Sequence, residues 1–254
     1  MKLNTQYGYP ISSIFFQICG MIFLILLAIL SIASGIFLAT ISIILIIIFF
    51  WYVVIYQFKK RFLQLRKDIL NQMIRYAQLI GNENILDLGT GAGYIAIGFS
   101  KVLEYGRVVG VDKYDQRTRV FGTNFFEGLK INFFKNKLNR AKRNASLEHQ
   151  LNHILFVKSD LQKQFPFSHH SFDLVLSSQF LYCIPSKHLH QVLSEVDRVV
   201  KPSGQLIFFE SKKFFQWNIL QVKSFFEKIG YHTQIYTLKN MSNKCIFIAR
   251  KIDK

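Results

Sequence analysis

The residues best suited to chemistry form a glycine-rich turn after a short apolar run. The segment reads Ile85-Leu86-Asp87-Leu88-Gly89-Thr90-Gly91-Ala92-Gly93-Tyr94-Ile95-Ala96. Glycine permits unusual backbone torsions and lets a ligand approach the backbone N–H groups closely, and the N-terminus of a helix favours polar or negatively charged groups. The pattern predicts a strand, a ligand-binding turn and a helix, although a glycine turn alone can also be a plain connection between a strand and a helix.

The spacing of these glycines differs from the dinucleotide-binding fingerprint. That fingerprint is G-x-G-x-x-G, in which the third glycine comes three residues after the second. Here Tyr94 stands at that position, and the third glycine comes early, at Gly93. Binding of a dinucleotide through its pyrophosphate is therefore disfavoured.

Four further segments follow the turn in a fixed order. They are Val108-Val109-Gly110-Val111-Asp112, Val157-Lys158-Ser159-Asp160-Leu161, Phe172-Asp173-Leu174-Val175-Leu176-Ser177-Ser178-Gln179 and Val199-Val200-Lys201-Pro202-Ser203-Gly204. With the glycine turn, they resemble the motifs of the class I methyltransferases that depend on S-adenosylmethionine (SAM), although Ser203 replaces a usual glycine. The resemblance implies SAM as the cofactor and methyl transfer as the reaction.

The resemblance also implies which residues bind the cofactor. The glycine turn would lie under the amino acid end of SAM, and the two carboxylate oxygens of Asp112 would accept hydrogen bonds from both ribose hydroxyls. Asp160 would receive the adenine amino group, with Leu161 against the ring. The complete predicted set is Asp87, Gly89, Thr90, Gly91, Gly93, Asp112, Lys113, Asp160, Leu161 and Ser177.

The catalytic residues remain open at this stage. SAM already carries the electrophilic methyl group and a good leaving group, so the enzyme mainly positions the nucleophile. The motifs fix no general base. Tyr182 and His188 are weak candidates because they follow the strand that would end beside the methyl group, and Cys183 and His190 lie close to them in sequence. All four could instead belong to a helix surface or to the core.

The elements that would position these residues alternate between strands and helices. β-Rich runs occur at Asn84 to Leu88, Arg107 to Val111, His153 to Lys158, Phe172 to Ser177, Gly204 to Glu210, His232 to Leu238 and Lys244 to Arg250. This order predicts an α/β domain over residues 81–254, with a Rossmann-like, seven-stranded, mostly parallel sheet. The short connection between the last two runs predicts a C-terminal antiparallel hairpin.

The N-terminal part has a very different composition. Lys2 is its only charged residue before Lys59, and the segment from Ile11 to Tyr56 is almost wholly apolar. A helix rises ~1.5 Å per residue and the hydrocarbon core of a bilayer is ~30 Å thick, so two membrane spans fit better than one. We predict a transmembrane helical hairpin over 1–58, with spans at about 11–33 and 36–57. A cleaved signal peptide and a buried soluble core are the alternatives.

An amphipathic helix over 59–80 is predicted to link the hairpin to the α/β domain, because apolar residues recur there at helical spacing. Its first residues, Lys59, Lys60 and Arg61, are basic, which predicts a multi-pass membrane protein whose catalytic domain and both termini are cytoplasmic. The net charge of +17 favours contact with anionic headgroups of the bilayer. Nucleic acid is not the expected partner, since the N/D-P-P-Y/F type of motif is replaced by Ser177-Ser178-Gln179-Phe180.

The spacing of the three cysteines, Cys19, Cys183 and Cys245, implies neither a disulfide framework nor a metal site. The preferred hypothesis is a membrane-anchored methyltransferase that acts on a hydrophobic or membrane-associated small molecule of quinone, sterol or lipid type. The alternatives are a catalytically inactive SAM-binding membrane protein and a protein or nucleic-acid methyltransferase held at the membrane. A basic and aromatic stretch at 115–144 fits either a helix after the second strand or a surface resting on the bilayer.

Overall fold

The computed structural model describes residues 19–20, 22–23, 25–26, 29, 37–114, 138–212, 218–238 and 241–251. The chain divides into two units between Ile69 and Leu70. Most of the predicted first membrane span and most of the basic and aromatic stretch at 115–144 lie outside the described residues.

A single long helix, α1, runs from Phe37 to Ala77 without interruption. It begins two residues after Gly35, close to the predicted reversal, and passes through Lys59 as a regular helix. The predicted second span at 36–57 and the predicted link at 59–80 are thus parts of one helix. Within the described part of the chain, no helix is both long enough and apolar enough to cross a membrane. The hairpin over 1–58 stays a prediction.

The second unit is built on one seven-stranded sheet. The strands are β1 Asn84–Leu88, β2 Arg107–Asp112, β3 Ile154–Lys158, β4 Phe172–Ser178, β5 Val200–Ser211, β6 Tyr231–Leu238 and β7 Met241–Lys251. Their order across the sheet is β3-β2-β1-β4-β5-β7-β6. The first five strands pair in parallel, and β7 runs antiparallel to both β5 and β6. The predicted Rossmann-like sheet and its C-terminal hairpin are confirmed.

Helices cover the sheet because its central strands are apolar on both faces. The described residues of this unit contain, besides the end of α1, the helices α2 Tyr94–Ser100, α3 Leu138–Leu147, α4 Ser186–Val199 and α5 Ile219–Lys228, with short 3₁₀ turns at Leu151–His153 and Leu181–Cys183. Every residue of α2 is buried. At Gly98 the close approach of Leu70 from α1 leaves no room for a larger side chain, since a Cβ there would lie 2.4 Å from Leu70 Cδ2.

The main apolar core joins the sheet to α4 and α5. Its strand residues include Leu86 and Leu88 of β1, Val175 of β4, and Leu206 and Phe208 of β5. These residues alternate along each strand, as expected for side chains that share one face of a sheet. Its helix residues include Leu189, Val192, Leu193, Val196 and Val199 of α4, with Ile219, Val222 and Phe226 of α5. This core fixes the strands whose ends carry the candidate site.

Candidate functional site

The predicted site residues meet at one edge of the sheet. Strands β1, β2, β4 and β5 are parallel, so their carboxyl ends lie together. The strand order reverses between β1 and β4, and ligands of open α/β sheets bind in the crevice that such a reversal leaves at the carboxyl ends. The sheet topology alone therefore brings the turns after these strands to one place.

The glycine turn after β1 has an unusual backbone. Gly89, Gly91 and Gly93 have φ angles of 66°, 54° and 82°, in the left-handed region that glycine tolerates best. At Gly89 there is a second constraint, since a Cβ would lie 2.5 Å from Cδ2 and 2.6 Å from Cβ of Phe180. The turn is anchored to β2 because Thr90 N donates to Val111 O over 3.1 Å. The glycine residues are thus required by the backbone torsions and by the approach of Phe180.

Asp112 ends β2 and faces the glycine turn. Its Oδ2 accepts a hydrogen bond from Gly91 N at 3.0 Å, and its Oδ1 accepts one from Tyr114 N at 2.9 Å. A carboxylate oxygen can accept about two hydrogen bonds, so each oxygen keeps capacity for a ligand hydroxyl. Asp112 is only partly buried, and its carboxylate can therefore be reached. The contact with Gly91 fixes its position relative to the turn.

Lys113 and Asp160 form an ion pair at the rim of the site, with Nζ and Oδ2 3.0 Å apart. Asp160 Oδ1 accepts from Gln162 N at 3.1 Å. Burial acts to raise the pKa of Asp160, but the hydrogen bond and charge of Lys113 outweigh it, and the pKa is lowered. Leu161 is buried in the main core. The structure thus brings Lys113 and Asp160 together, a pairing that the motifs do not predict.

Asp87 lies next to the last residue of β1 and is buried, with 1% of its surface exposed. Loss of solvation raises the pKa of Asp87 to about 7, although the nearby Thr90 side chain and the backbone N–H of Ala96 lower it in part. By distance and angle, Asp87 Oδ2 and Thr90 Oγ1 have no hydrogen-bond partner among the described residues. A bound ligand could supply the missing hydrogen-bond partner of each atom.

Ser177 at the end of β4 contacts a residue that the motifs did not identify. Its hydroxyl donates to Glu210 Oε1 at 2.8 Å, and both side chains are fully buried. The same Oε1 accepts from Phe180 N at 3.0 Å and from Leu181 N at 2.9 Å. Burial raises the pKa of Glu210 to about 7. Glu210 therefore ties the end of β5 to the turn after β4.

Gln179 follows β4 in a left-handed conformation, with a φ of 58°. Its backbone N–H donates to Phe209 O at 2.9 Å, which holds it beside the end of β5. Its side-chain Nε2 is buried without a hydrogen-bond partner in the described part of the chain. A non-glycine residue with positive φ is uncommon and is enriched at functional sites.

All the buried side-chain polar atoms that lack a partner among the described residues lie at this edge of the sheet. They are Asp87 Oδ2, Thr90 Oγ1, Tyr114 Oη, Gln179 Nε2 and Glu210 Oε2. They follow or end strands β1, β2, β4 and β5. Because an unsatisfied buried polar atom costs roughly 1–3 kcal/mol, their concentration at one place indicates a ligand site.

The candidate catalytic residues are distributed differently. Tyr182 and Cys183 lie on the 3₁₀ turn after β4 with part of each side chain exposed, and loss of solvation of the phenol and of the thiol raises the pKa of both. His188 is partly exposed in the first turns of α4. His190 packs edge-on against Phe225 at 5.0 Å between ring centroids, so it serves α4–α5 packing. Tyr182 and Cys183 adjoin the site, and a general base is still not fixed.

Glu210, Gln179 and Tyr114 are the site residues that sequence reasoning missed. Glu210 carried one usable signal, since it is an acidic residue that closes the apolar run Leu206-Ile207-Phe208-Phe209. Gln179 and Tyr114 gave no comparable signal, because their torsions and burial depend on contacts with distant strands.

The comparisons with known proteins agree with this geometry. A family model described as a methyltransferase domain matches residues 115–208. No functionally curated protein matches the sequence.

Solved structures of similar fold include a SAM-dependent methyltransferase from Aquifex aeolicus, with 18% identity, a TM-score of 0.52, and coverage of 71% of this chain and 88% of that one. Magnesium protoporphyrin IX methyltransferase from Synechocystis PCC 6803 with bound SAM has 14% identity and a TM-score of 0.52, with coverage of 74% and 79%. The cyclase SpnF has 14% identity and a TM-score of 0.56, with coverage of 74% and 82%.

At these identities the solved structures establish the fold, and the family model adds a match to a methyltransferase domain over residues 115–208. The described residues supply a glycine turn, a reachable carboxylate at Asp112 and unpartnered polar atoms at the edge where such a fold binds its cofactor. The chain therefore has the fold of SAM-dependent methyltransferases, and its residues 115–208 match a methyltransferase domain, in line with the prediction from the sequence.

Proposed function

We propose that this protein is a membrane-associated methyltransferase that transfers the methyl group of SAM to a hydrophobic or membrane-associated small molecule of quinone, sterol or lipid type. The observation that carries the catalytic half of the proposal is the convergence of the glycine turn, Asp112 and the unpartnered buried atoms at one edge of the sheet. The substrate class rests on the N-terminal unit.

The residues present fit SAM part by part. The backbone N–H groups of the glycine turn and the Thr90 hydroxyl would hold the amino acid end, and the carboxyl group of Asp87 would lie behind the turn. Asp112 would accept from the ribose hydroxyls through the capacity left on both oxygens. Asp160, oriented by Lys113, would receive the adenine amino group, with Leu161 behind it. When bound, SAM supplies the electrophilic methyl group, and the chain binds, orients and excludes water.

Replacement of Asp112 by alanine is expected to weaken SAM binding by roughly 1.5 to 3 kcal/mol, because hydrogen bonds to a charged group are lost. The variant also leaves Gly91 N without its acceptor, so thermal unfolding must be measured beside calorimetry. Glu104→Ala is the matched control, because Glu104 is an exposed acidic residue away from the site. Affinity equal to that of the wild type in a folded Asp112→Ala protein would remove Asp112 from the cofactor site.

The N-terminal unit supports the membrane half of the proposal. In the part of α1 before Lys59, many large apolar side chains are exposed, with Leu45, Ile46, Phe49 and Phe50 at 60%, 67%, 68% and 65%. Monomeric soluble proteins rarely expose so large a contiguous apolar surface. Basic residues begin at Lys59, where headgroups of an anionic leaflet would attract them. The catalytic domain and both termini are proposed to lie on the cytoplasmic side, following the distribution of basic residues.

The full-length protein is expected to stay with membranes through an alkaline carbonate wash, because contact through apolar side chains does not depend on charge. A parallel wash at high salt shows how much of the binding is electrostatic, since salt screens surface attraction strongly. Release of the intact protein by carbonate would contradict the proposed anchor at 1–58 and leave the SAM site untouched.

The alternatives are separated by turnover. The neighbour SpnF is named a cyclase, so the fold by itself does not fix methyl transfer. Formation of S-adenosylhomocysteine from SAM in the presence of a membrane lipid extract distinguishes the proposed enzyme from a catalytically inactive SAM-binding membrane protein. The same assay with protein or RNA fractions tests a methyltransferase for macromolecules held at the membrane.

A further inference from the structure

Glu210 carries a carboxylate whose two oxygens have different surroundings. Oε1 accepts three hydrogen bonds, from the hydroxyl of Ser177 and from the backbone N–H groups of Phe180 and Leu181. Oε2 has no hydrogen-bond partner among the described residues. The second oxygen is left as a buried acceptor without a donor.

Gln179 lies at the neighbouring strand end and carries a complementary group. Ser178 pairs with Phe209 in the parallel register of β4 and β5, and Gln179 N donates to Phe209 O, so Gln179 and Glu210 are neighbours across the two strand ends. The side-chain Nε2 of Gln179 is a buried donor without an acceptor in the described part of the chain. One strand end therefore offers a free donor and the adjacent one a free acceptor.

These two groups differ from the atoms assigned to the cofactor. Asp87, Thr90 and Asp112 belong to the ends of β1 and β2, whereas Gln179 and Glu210 belong to the ends of β4 and β5. The turn after β4 contacts both groups of residues. Phe180 in this turn donates its N–H to Glu210, and its ring lies against Gly89. A molecule held by Gln179 and Glu210 would thus sit beside the glycine turn and not within it.

We propose that Gln179 and Glu210 bind the hydroxyl group of the methyl acceptor, with the amide of Gln179 donating to the hydroxyl oxygen and Glu210 Oε2 accepting from the hydroxyl hydrogen. A hydroxyl is both donor and acceptor, so it satisfies both orphan atoms at once. An ether has no donor and leaves Glu210 Oε2 unsatisfied, which a buried site disfavours strongly. The inference rests on the proposed function and narrows its substrate to hydroxyl-bearing acceptors.

The 3₁₀ turn Leu181–Cys183 lies beside this pair. The turn is attached to Glu210 through Leu181 N, and its outer residues Tyr182 and Cys183 are exposed. The fully buried position of Glu210 then excludes water once the acceptor is bound.

The test uses full-length protein saturated with S-adenosylhomocysteine and two probes that differ only at the polar group, 4-decylphenol and its methyl ether 4-decylanisole. Binding is measured by equilibrium titration in the same detergent at pH 8.5, above the pKa of about 7 of Glu210, so that Oε2 carries no proton. We expect the wild type to bind the phenol at least about 10-fold more tightly than the ether, equivalent to about 1.4 kcal/mol. Glu210→Gln and Gln179→Gly are expected to reduce this ratio to less than about 2.

The variants are chosen so that folding does not decide the result. Glu210→Gln keeps an oxygen to accept from Phe180 and Leu181 but replaces Oε2 by a donor. Gln179→Gly removes the amide and favours the positive φ that Gln179 already has. Glu104→Gln, at an exposed glutamate, is the matched control and should retain the wild-type ratio. If Glu210→Gln fails to fold, Gln179→Gly carries the test alone.

The remaining outcomes overturn the inference in distinguishable ways. Equal binding of phenol and ether by the wild type would show that no hydroxyl is recognised. An unchanged ratio in folded Gln179→Gly would remove this residue pair from the acceptor site. Loss of S-adenosylhomocysteine binding in the variants would place both residues on the cofactor side. Failure of the wild type to bind S-adenosylhomocysteine or SAM would refute the proposed function itself.

Discussion

Substitution of Gly89 by alanine is expected to weaken SAM binding at least about 100-fold. Two costs act on the same residue. A φ of 66° is unfavourable by roughly 1–2 kcal/mol for a residue with a Cβ, and the added Cβ would lie 2.6 Å from Cβ of Phe180. Overpacking of this kind typically costs about 1–3 kcal/mol more. Because Cβ of Phe180 is fixed to the backbone, the glycine turn or the turn after β4 has to move.

The matched control is Gly230→Ala. Gly230 has a φ of 91°, but a Cβ there would have no atom within 4 Å. Its substitution by alanine therefore costs free energy through the positive φ but causes no steric clash. Gly230 lies in the turn before β6. SAM affinity, measured by calorimetry, should therefore change by less than about twofold in Gly230→Ala.

A double variant identifies the cause of the effect. Phe180→Gly removes the Cβ and the ring that a side chain at residue 89 would meet. Combined with Gly89→Ala, it should restore part of the lost affinity and leave the cost of the positive φ. Full affinity in the single variant Gly89→Ala would mean that this turn does not hold the cofactor.

The strands of the sheet were predictable because parallel strands that are buried on both faces form short, continuous apolar runs. The residue at which β5 begins was not predictable from the sequence. Lys201, Pro202 and Ser203 indicated a turn, yet the strand begins at Val200 and pairs with Phe172 before the register shifts to Leu174 and Gln205. Proline is tolerated at such an irregularity, where no ladder hydrogen bond requires its missing N–H.

The residues of the proposed cofactor site were easier to find from the sequence than those of the proposed acceptor site. Asp87, the glycines and Asp112 lie at fixed distances along the chain from strand ends, so their spacing carries the information. The contacts of Glu210 join residues about 30 positions apart, and the orphan donor of Gln179 depends on where β5 ends. Such contacts follow from strand pairing in three dimensions. The continuity of α1 was missed for another reason, since a change from apolar to basic residues alters the environment of a helix without ending it.

Stability of the protein is expected to fall as the pH rises from about 5 to about 7.5, because of Asp87 and Glu210. Both carboxyls are buried without a cationic hydrogen-bond partner, and burial raises their pKa from 3.8 and 4.5 to about 7. Between these values the folded protein keeps protons that the unfolded chain has released. The folded state then binds more protons than the unfolded state, so the free energy of unfolding decreases with rising pH.

The magnitude follows from the size of the shifts. One group contributes about 1.4 kcal/mol per pH unit where the folded form is protonated and the unfolded form is ionised, so two groups together give a loss of about 3 kcal/mol or more between pH 5.5 and 7.5. The carboxyls with lowered pKa, those of Asp160, Glu195 and Glu227, act in the opposite direction, but below about pH 4.5, near their ordinary pKa values. These three carboxyls therefore do not change the pH dependence of stability between pH 5.5 and 7.5.

Asp87→Asn is the variant that assigns the effect. An amide at this position needs no proton to stay neutral, so about half of the pH dependence should disappear, and the variant should gain stability relative to the wild type as the pH rises through 7. Unfolding of the full-length protein in a nonionic detergent, followed at a series of pH values, measures both slopes, and Glu104→Gln at an exposed glutamate should leave the slope unchanged. A free energy of unfolding that is constant or rises between pH 5.5 and 7.5 would show that Asp87 and Glu210 are already ionised in the folded protein.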